Sequence, residues 1–512
     1  MGLFTGENAL LEKVERHDRF QFEVKLDYPL DPDADSQAYT VETYFFLAGS
    51  LNVNEYTYGA ADFYADVRDQ VRFKTPQMTL GQLVGTSPLS PLTRLDEGVL
   101  RIRSAAWTPE DLRVLLYESK MLGCILRAAL RDLGNLVVQT LGHGTVMDHG
   151  DAERLVDESL PALCTVLSRF RDVGTALLIP GFPSETLSSL RLVDEYLSLT
   201  AESYAMHLLD SMPDAGANLR TRVAHLALDE VAYRTRRGYR SVARLDSNNE
   251  DFVYRNSLLK KFVGSIQYLQ IHRADTRASA EHAAFAVAAG IAMAFATAVS
   301  FLAITLAPLS WTLFAVLVVS YMLKDRIKEF VRSLFNRWLG KTVPDHKIVI
   351  TDPSTGARIG QFRRKFMVLP IAEVPPDVRR VRDAGRTEFL AEREFSESVF
   401  RYTKVLKLRP RRIFGSHRRV AALTDVLRMN VRHFLHSMDE PRPVIQILDP
   451  DTHLPTQVPA MRTYHLNAVL RFWRGDDPAR AAYRKLRVVL DQDGIHRVET
   501  FDPDGPPRVE GA

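Results

Sequence analysis

Two imidazoles and two carboxylates lie close together in a stretch that contains Gly142 and Gly144. The candidate metal ligands are His143, Asp148, His149 and Asp151. Histidine nitrogens and carboxylate oxygens bind divalent metals such as zinc, and a flexible loop can bring them together. The same residues also suit a polar loop between two helices, in which His149 or Asp151 caps the following helix. The polar loop is favoured, so no cofactor is expected, and a divalent metal at these residues is the alternative.

A second pair of histidines, His433 and His436, has the i,i+3 spacing that places two side chains on one helix face. Asp439 and Glu440 follow closely. Zinc sites use this spacing, but a single pair is also common at a solvated helix end. We keep both interpretations, with the solvated helix end favoured.

A basic cluster in the C-terminal third has the residue types that bind phosphate groups. Its members are Arg409, Arg411, Arg412, Arg418 and Arg419. Arginine pairs with phosphate through two parallel hydrogen bonds. Phe414 is the single aromatic residue among them, whereas single-stranded nucleic acids are bound on several stacking aromatics, so nucleic acid is not favoured. We expect anionic lipid headgroups, with Arg411 and Arg412 as the main contacts; the alternative is a salt-bridged or solvated loop.

Another set of arginines recurs at helical spacing, and a charged helix face is its simplest interpretation. The set is Arg234, Arg236, Arg237, Arg240 and Arg244.

The common catalytic signatures are missing from the 512 residues. There is no Walker loop, no GxGxxG after a strand, no GxSxG and no HExxH. Two cysteines exclude a disulfide scaffold and a cysteine-based zinc cluster. With 46% hydrophobic and 25% charged residues, the composition is that of a globular protein. A non-enzymatic protein is therefore favoured.

One stretch sets the class of protein, because residues 283–323 contain no Asp, Glu, Lys, Arg or His. As one helix it would extend roughly 60 Å at about 1.5 Å per residue, about twice the thickness of a bilayer core. Pro308 interrupts it. The sequence therefore predicts two transmembrane helices, 283–306 and 308–323. The alternative is a buried pair of apolar helices in a soluble protein.

Both ends of this stretch carry basic residues, and the predicted turn between the spans has no charge. The flanking basic residues are Lys260, Lys261, Arg273, Arg277, Lys324, Arg326, Lys328, Arg332, Arg337 and Lys341. The positive-inside rule then predicts that both termini are cytoplasmic. The excess of Arg over Lys hints at a bacterial genome, so the expected location is the inner membrane of a bacterium.

Small residues recur every four positions along the first predicted span. They are Ala284, Ala288, Ala292, Ala296 and Ser300. Such a face lets helices approach closely in lipid. It fits packing on the second span of the same chain, or on another chain or copy.

Residues 324–341 combine apolar residues at helical spacing with basic residues on the other face. This pattern predicts an amphipathic helix on the inner leaflet, where Lys324, Arg326, Lys328 and Arg332 would meet anionic lipid. The alternative is a plain extension of the second span.

The soluble regions read as α+β. We expect a small α+β region over 1–100 with a β-hairpin of 20–28 and 39–45, a helix over 58–73, and an antiparallel helical bundle over 101–280. A basic α+β domain with an antiparallel sheet is expected over 342–512, with an amphipathic helix over 420–435. Residues 1–282 have an excess of 9 acidic side chains and residues 324–512 an excess of 12 basic ones.

These features predict an α+β membrane protein that acts as an inner-membrane scaffold or adaptor, binding a protein partner and anionic lipid. The alternative function is a membrane-tethered, metal-dependent enzyme or sensor that uses His143 and His149. A third hypothesis is a homo-oligomer that shapes the membrane. The sequence predicts neither the partner nor a substrate.

Overall fold

A computed structural model describes residues 11–104, 107–141, 146–212, 216–306, 311–384, 397–439, 442–451, 453–501 and 508–510. These residues form a mixed α+β structure with antiparallel sheets and many helices, which confirms the predicted class at that level.

The strands are β1 (Leu11–Arg16), β2 (Gln21–Pro29), β3 (Gln37–Ala48), β4 (Val67–Phe73), β5 (Gln270–Asp275), β6 (His346–Thr351), β7 (Arg358–Leu369), β8 (Glu397–Leu408), β9 (Ala422–Asn430), β10 (Val444–Leu448), β11 (Pro455–Pro459), β12 (Tyr464–Arg474), β13 (Ala482–Asp491), β14 (Gly494–Phe501) and β15 (Arg508–Glu510). The α-helices are α1 (Ala60–Asp66), α2 (Leu80–Val84), α3 (Pro91–Ser104), α4 (Pro109–Leu141), α5 (Val146–Ala176), α6 (Ser184–Ser211), α7 (Ala217–Arg236), α8 (Glu250–Gly264), α9 (Thr276–Leu306), α10 (Trp311–Thr342), α11 (Pro376–Asp383), α12 (Pro410–Ser416) and α13 (Arg432–Leu435). Short 3-10 turns cover Gly49–Leu51, Ile371–Glu373 and Pro478–Arg480.

The chain forms two compact units. The β unit comprises Met1–Val71, Gln270–Ser416 and Leu423–Ala512. The helical unit comprises Arg72–Leu269 and His417–Ala422. The chain therefore leaves the β unit after its first strands, builds the helical unit and then returns.

The β unit contains a large sheet with the strand order β15-β14-β13-β12-β3-β8-β7-β6-β5 and a smaller sheet with the order β1-β2-β9-β4. Apolar side chains from β2, β3, β9 and β12 meet in the core between these sheets. A separate two-stranded sheet, β10-β11, pairs with neither of them in the described residues. The turn at Asp491–Gly494 joins β13 and β14 into the hairpin that its Asp and Gly residues predict.

The first strands differ from the expected hairpin, because β2 and β3 lie in different sheets. β2 pairs with β1, while β3 lies between β8 and β12. Strand β3 is buried along most of its 12 residues, as suits a central strand. Its pairing with strands at least 349 residues away leaves no local trace in the sequence, so the expected boundaries at 100 and 342 differ from the observed units.

Two segments expected to be helical contain strands. The expected helix 58–73 ends at Asp66, and β4 follows with Val67, Val71 and Phe73 buried at alternate positions. The expected helix 420–435 is replaced by β9 over most of its length, and only α13 at its end is helical. A run of apolar residues this short fits both the helical period of 3.6 residues and the strand period of 2. In both segments, pairing with strands that are distant in the sequence stabilises the strand.

The helical unit agrees better with the sequence. Helices α4 to α8 occupy the expected bundle, and α4 packs on α5, α6 and α8. At the start of α4, the Thr108 backbone N–H and hydroxyl donate to Asp111 at 3.0 and 2.6 Å. One continuous apolar core runs through α2 to α8.

Helices α9 and α10 pack against each other. In the chain they connect β5 to β6, two neighbouring strands of the large sheet. β5 ends at Asp275, α9 begins at Thr276, and the chain returns from α10 into β6 at His346. Asp275 and His346 are paired in the sheet, so the hairpin leaves and re-enters the β unit at adjacent points.

Candidate functional site

Helix α9 carries the clearest membrane signal. Within the described residues, Ser279–Ala303 is the one segment long and apolar enough to cross a bilayer. Its 25 residues extend about 38 Å at ~1.5 Å per residue, more than the ~30 Å of a hydrocarbon core. Only 11% of its most apolar window is buried, so packing inside the protein does not account for its composition.

Helix α10 does not give a second segment of this kind. Its charge-free part runs only from Trp311 to Leu323, about 20 Å at ~1.5 Å per residue. Lys324, Asp325 and Arg326 then follow in succession. The predicted two-span hairpin is therefore not confirmed. Residues 307–310, which include the predicted turn, lie outside the described residues.

Large apolar side chains cover the outside of the hairpin. Phe301 is 73% exposed, Trp311 86% and Phe314 60%. Val287, Met293 and Met322 are exposed as well. Contiguous exposed apolar surface is unfavourable in water and marks a site of contact with lipid or protein.

The small residues of α9 lie on its buried side. Ala284, Ala288 and Ala292 are buried, whereas Ala296 and Ser300 are partly buried. Since α9 packs along α10, this arrangement favours packing within the hairpin over an exposed face for another chain.

Helix α10 continues without a break from its apolar part to Thr342. The Lys324 ammonium lies 3.9 Å from the centre of the Tyr321 ring, and the Arg332 guanidinium lies 4.2 Å from that of Phe285 on α9. Arg326 and Lys328 are exposed. A second set of large apolar side chains is exposed at every fourth position: Phe330, Leu334 and Trp338. The basic and apolar residues predicted to meet the leaflet thus lie on the same continuous helix as the apolar part of α10, and Arg332 still packs against α9.

The arginines of the basic cluster fall into both units. Arg409, Arg411 and Arg412 are exposed in the β unit, and Arg411 forms an exposed 2.7 Å ion pair with Asp35. In the helical unit Arg418 is exposed. The side chain of Arg419 is only 8% exposed, and it donates to both carboxylate oxygens of Glu118 at 2.7 and 2.9 Å. Arg419 therefore stabilises the helical unit, as the salt-bridge alternative requires.

The predicted metal loop lies mostly outside the described residues. His143 and the side chains of Asp148 and His149 belong to that part of the chain. Asp151 is exposed and forms a 3.0 Å ion pair with Arg154. Within the described residues no group of three or more His, Cys, Asp or Glu could hold a metal ion.

The second histidine pair does not converge either. The ring of His433 packs 5.0 Å from that of Tyr58. His436 is exposed, and Asp439 forms a 2.9 Å ion pair with Arg462. Glu440 lies outside the described residues.

Arg234 departs from the expected charged face, because its side chain is fully buried in the helical unit. It donates to the backbone oxygen of Ser241 at 3.0 Å, to the hydroxyl of Ser198 at 2.9 Å and to Glu202. Arg236, Arg237, Arg240 and Arg244 are exposed. This set therefore divides into one structural arginine and a charged surface.

The segment after α7 borders a concavity on the helical unit. It is open, has a volume of about 600 Å³, and is lined by residues from Tyr239 to Leu258. Arg255, on its wall, forms a 2.7 Å ion pair with Glu195, and the Tyr239 hydroxyl donates to Asp194 at 2.7 Å. Arg240 and Arg244 project from the same wall and are exposed. The concavity is as large as many ligand sites. Its lining carries Arg240, Arg244 and Arg255 together with Glu250 and Asp251.

An ionic network in the core of the β unit was not predicted. Lys404 of β8 donates to Asp69 of β4 at 3.1 Å and to Asp425 of β9 at 2.8 Å. Arg364 of β7 donates to Asp69 at 2.6 Å, and the Tyr28 hydroxyl donates to Asp425 at 3.1 Å. The network joins the two sheets, since each base is on the large sheet and each acid on the small one. If β4 and β9 are taken as strands, the alternation of side chains between the two faces predicts that Asp69 and Asp425 point inward. The sequence pattern predicts helices for both segments, so this signal is missed.

Burial and charge act on this network in opposite directions. Burial alone would raise the pKa of Asp69, but Lys404 and Arg364 hold that pKa below its ordinary value. Burial and the nearby Asp69 raise the pKa of Asp425, which Lys404 only partly offsets. The pKa of Lys404 is raised despite its burial because it faces both carboxylates. A cavity of about 20 Å³ beside Lys404 and Asp425 has room for one water molecule.

Comparison with protein-family models, with curated proteins and with solved structures gives no match to this chain.

Proposed function

We propose that this protein is a non-enzymatic scaffold anchored in a membrane by the α9–α10 hairpin. The observation that carries the proposal is the exposed apolar surface of the hairpin, with Phe301, Trp311 and Phe314 pointing outward. Soluble proteins rarely leave such a surface uncovered, and hydrocarbon covers it without any further partner.

The connection of the hairpin to the large sheet supports a topology in which both chain termini lie on one side of the membrane. β5 and β6 are neighbours, and the first and last described strands, β1 and β15, both belong to the β unit. The basic residues that flank the hairpin favour the cytoplasmic side, with the inner membrane of a bacterium as the proposed location.

Two depths of insertion agree with this topology. In the first, α9 and α10 both cross. Because only ~20 Å of α10 is free of charge, Lys324 and Arg326 would snorkel to the interface and the bilayer would thin locally. In the second, the hairpin enters one leaflet, for which the ~20 Å apolar length of α10 is ample. Labelling at Ser310 by a membrane-impermeant reagent after substitution to cysteine separates them, because only a full crossing exposes this position outside.

Anionic lipid headgroups are the proposed ligand of the basic surface. Lys324, Arg326, Lys328 and Arg332 lie where the apolar part of α10 ends. We add the exposed Arg409, Arg411, Arg412 and Arg418 and omit Arg419, since its guanidinium is occupied by Glu118.

The experiment that tests anchoring compares membrane extraction of three full-length proteins. The wild type should remain with the membrane in high salt and alkaline carbonate and dissolve in mild detergent. A variant with Phe301→Arg and Phe314→Arg should move to the soluble or aggregated fraction, because each arginine in the apolar region costs about 2.5–3.5 kcal/mol.

The matched control carries Tyr56→Arg and Leu245→Arg, at exposed apolar positions outside the hairpin. It should extract as the wild type does. A wild type that is released by salt alone, or a control that behaves like the hairpin variant, would contradict the anchoring proposal.

The scaffold part of the proposal needs a docking surface, and the exposed Arg240 and Arg244 at the concavity after α7 support one for an acidic protein segment. Purification in mild detergent from the native membrane, with chemical cross-linking and mass spectrometry, should place a stoichiometric partner at residues 239–258. Substitution of Arg240→Glu and Arg244→Glu should remove it, whereas Arg103→Glu and Arg191→Glu, also exposed in the helical unit, should not. Retention of the partner by the first pair would refute this docking surface.

The metal-dependent alternative is not proposed further, because no observation in the described residues favours it.

A further inference from the structure

The β10-β11 ribbon is exposed along its length. Every residue of β10 is exposed, and Ile445, Ile447 and Leu448 are large and apolar. The two strands pair in the register that sets Gln446 opposite Gln457. Isolated two-stranded ribbons are marginally stable in water, so a covering partner is to be expected.

The hydrogen-bond pattern of the ribbon identifies which backbone groups point away from it. The Asp449 N–H donates to the Leu454 oxygen at 3.0 Å, and the Ala460 N–H donates to the Pro443 oxygen at 2.9 Å. Hydrogen-bonded pairs alternate with non-hydrogen-bonded pairs along an antiparallel ladder. The backbone N–H and C=O groups of Ile445 and Ile447, at every second position between Pro443 and Asp449, therefore also point towards β11. The N–H and C=O groups of Val444, Gln446 and Leu448 therefore point outward from β10.

The two outer edges of the ribbon differ in what they can bind. On β11 the outward positions are Pro455, Gln457 and Pro459, and the two prolines have no N–H to donate. β10 contains neither proline nor a charged residue, although proteins commonly protect exposed edges with one or the other. Strand addition at β11 is thus blocked, whereas β10 is open to it.

The sequence of β10 is complementary to itself. It reads Val-Ile-Gln-Ile-Leu, nearly the same in both directions. An antiparallel copy centred on Gln446 would set Ile445 opposite Ile447 of the partner subunit and Gln446 opposite Gln446 of the partner subunit. Self-complementarity about a two-fold axis is the requirement for a symmetric dimer.

We infer that two copies of this chain associate through β10, forming a four-stranded antiparallel sheet with β11 at each outer edge. The outward groups of Val444, Gln446 and Leu448 then find backbone partners, each facing pair exchanging two hydrogen bonds. The apolar face of the ribbon, which holds Ile445, Ile447 and Val458, becomes twice as wide.

A lipid leaflet suits this ribbon less well than a second copy. Asp449 and Asp451 lie at its tip, where their carboxylates would oppose entry into lipid and contact with anionic headgroups. A leaflet would also leave the outward N–H and C=O groups of β10 without partners. The inference does not depend on the proposed anchoring, although two copies held on one membrane would pair more readily.

Cysteine cross-linking of the full-length protein in mild detergent tests the dimer. Gln446→Cys places two thiols in a hydrogen-bonded pair, with Cα atoms about 5.5 Å apart and within disulfide range. Gln457→Cys is the matched control: it has the same residue type, face and exposure, but its copies are about 14 Å apart, three strand spacings. Both are made with Cys164→Ser because Cys164 is exposed, while Cys124 is buried and retained.

Mild oxidation should give a disulfide-linked dimer from Gln446→Cys and none from Gln457→Cys. Without oxidant, the wild type should have twice the monomer mass, and Gln446→Pro should be monomeric because it removes the central outward N–H but no hydrogen bond within the ribbon. Gln446→Thr keeps that N–H and should remain dimeric. Equal cross-linking at both positions, or a monomeric wild type, would overturn the inference.

Discussion

Asp69 and Lys404 are 335 residues apart in the chain and form a buried ion pair with an N–O distance of 3.1 Å. The pair joins β4 to β8 across the core of the β unit. A charge buried in this way is costly unless its partner is present. The first prediction follows from removing that partner.

Replacing Lys404 with methionine should lower the free energy of unfolding of the β unit by about 3–5 kcal/mol, because Asp69 and Asp425 would face each other without their shared cation. Pulse proteolysis in urea on the full-length protein in mild detergent measures the change. Lys407→Met is the matched control, since Lys407 is exposed on the same strand and should change little. Equal urea midpoints for both variants would show that the network contributes nothing to stability.

The two carboxylates of the network should respond differently to neutralisation. The pKa of Asp69 is held below the ordinary 3.8, so its contribution to stability is present above that pH and is lost as the pH falls through the folded-state pKa. The pKa of Asp425 is raised, so its contribution is lost as the pH rises through its folded-state pKa. At pH 7, Asp69→Asn should therefore destabilise the protein more than Asp425→Asn.

Urea unfolding of both variants between pH 7 and pH 3 checks this difference. The difference in unfolding free energy between the two variants should narrow as the pH falls below 3.8, where Asp69 of the wild type begins to take up a proton. A gap that stays constant with pH, or a larger cost for Asp425→Asn at pH 7, would contradict the assignment.

Anionic lipid should copurify with the wild type through the basic part of α10. Lys324→Glu, Arg326→Glu and Lys328→Glu together should reduce the ratio of anionic to zwitterionic lipid retained in mild detergent, because like charges repel headgroups. Lipid mass spectrometry gives the ratio. Arg379→Glu and Arg380→Glu on α11 alter exposed charges outside the hairpin and should leave it unchanged. An unchanged ratio in the α10 variant would remove anionic lipid from the proposal.

The helices could be predicted from the sequence because their signals are local. The apolar period, the cap at Thr108–Asp111 and the breakers near 180 and 212 lie within one turn of the ends that they specify. Two β-hairpins, β6–β7 and β13–β14, also have local signals in the sequence, because each turn contains its own Asp and Gly residues.

The two sheets could not be predicted, because their pairings connect distant parts of the chain. β3 lies between β8 and β12, and nothing near Gln37–Ala48 indicates either neighbour. The buried network shares this property, since its acids and bases come from four separate strands. For the candidate site, the composition of the sequence predicts the apolar helices. The ion pair between Arg419 and Glu118 could not be predicted, because the two residues meet only in the tertiary structure.

The turn between β13 and β14 gives a prediction about a single glycine. Gly494 has a φ of +138°, and a Cβ at this position would collide with the backbone oxygen of Arg19, which accepts a hydrogen bond from the Ile495 N–H at 2.7 Å. Gly494→Ala should therefore cost more than the roughly 1–2 kcal/mol of a left-handed backbone alone, as measured by urea unfolding. Gly475→Ala is the control, since its φ is +77° with open space around the Cβ position. Gly475→Ala should lose only the unfolding free energy that the left-handed backbone costs. Equal losses of unfolding free energy in the two variants would mean that the contact between residue 494 and Arg19 is not tight.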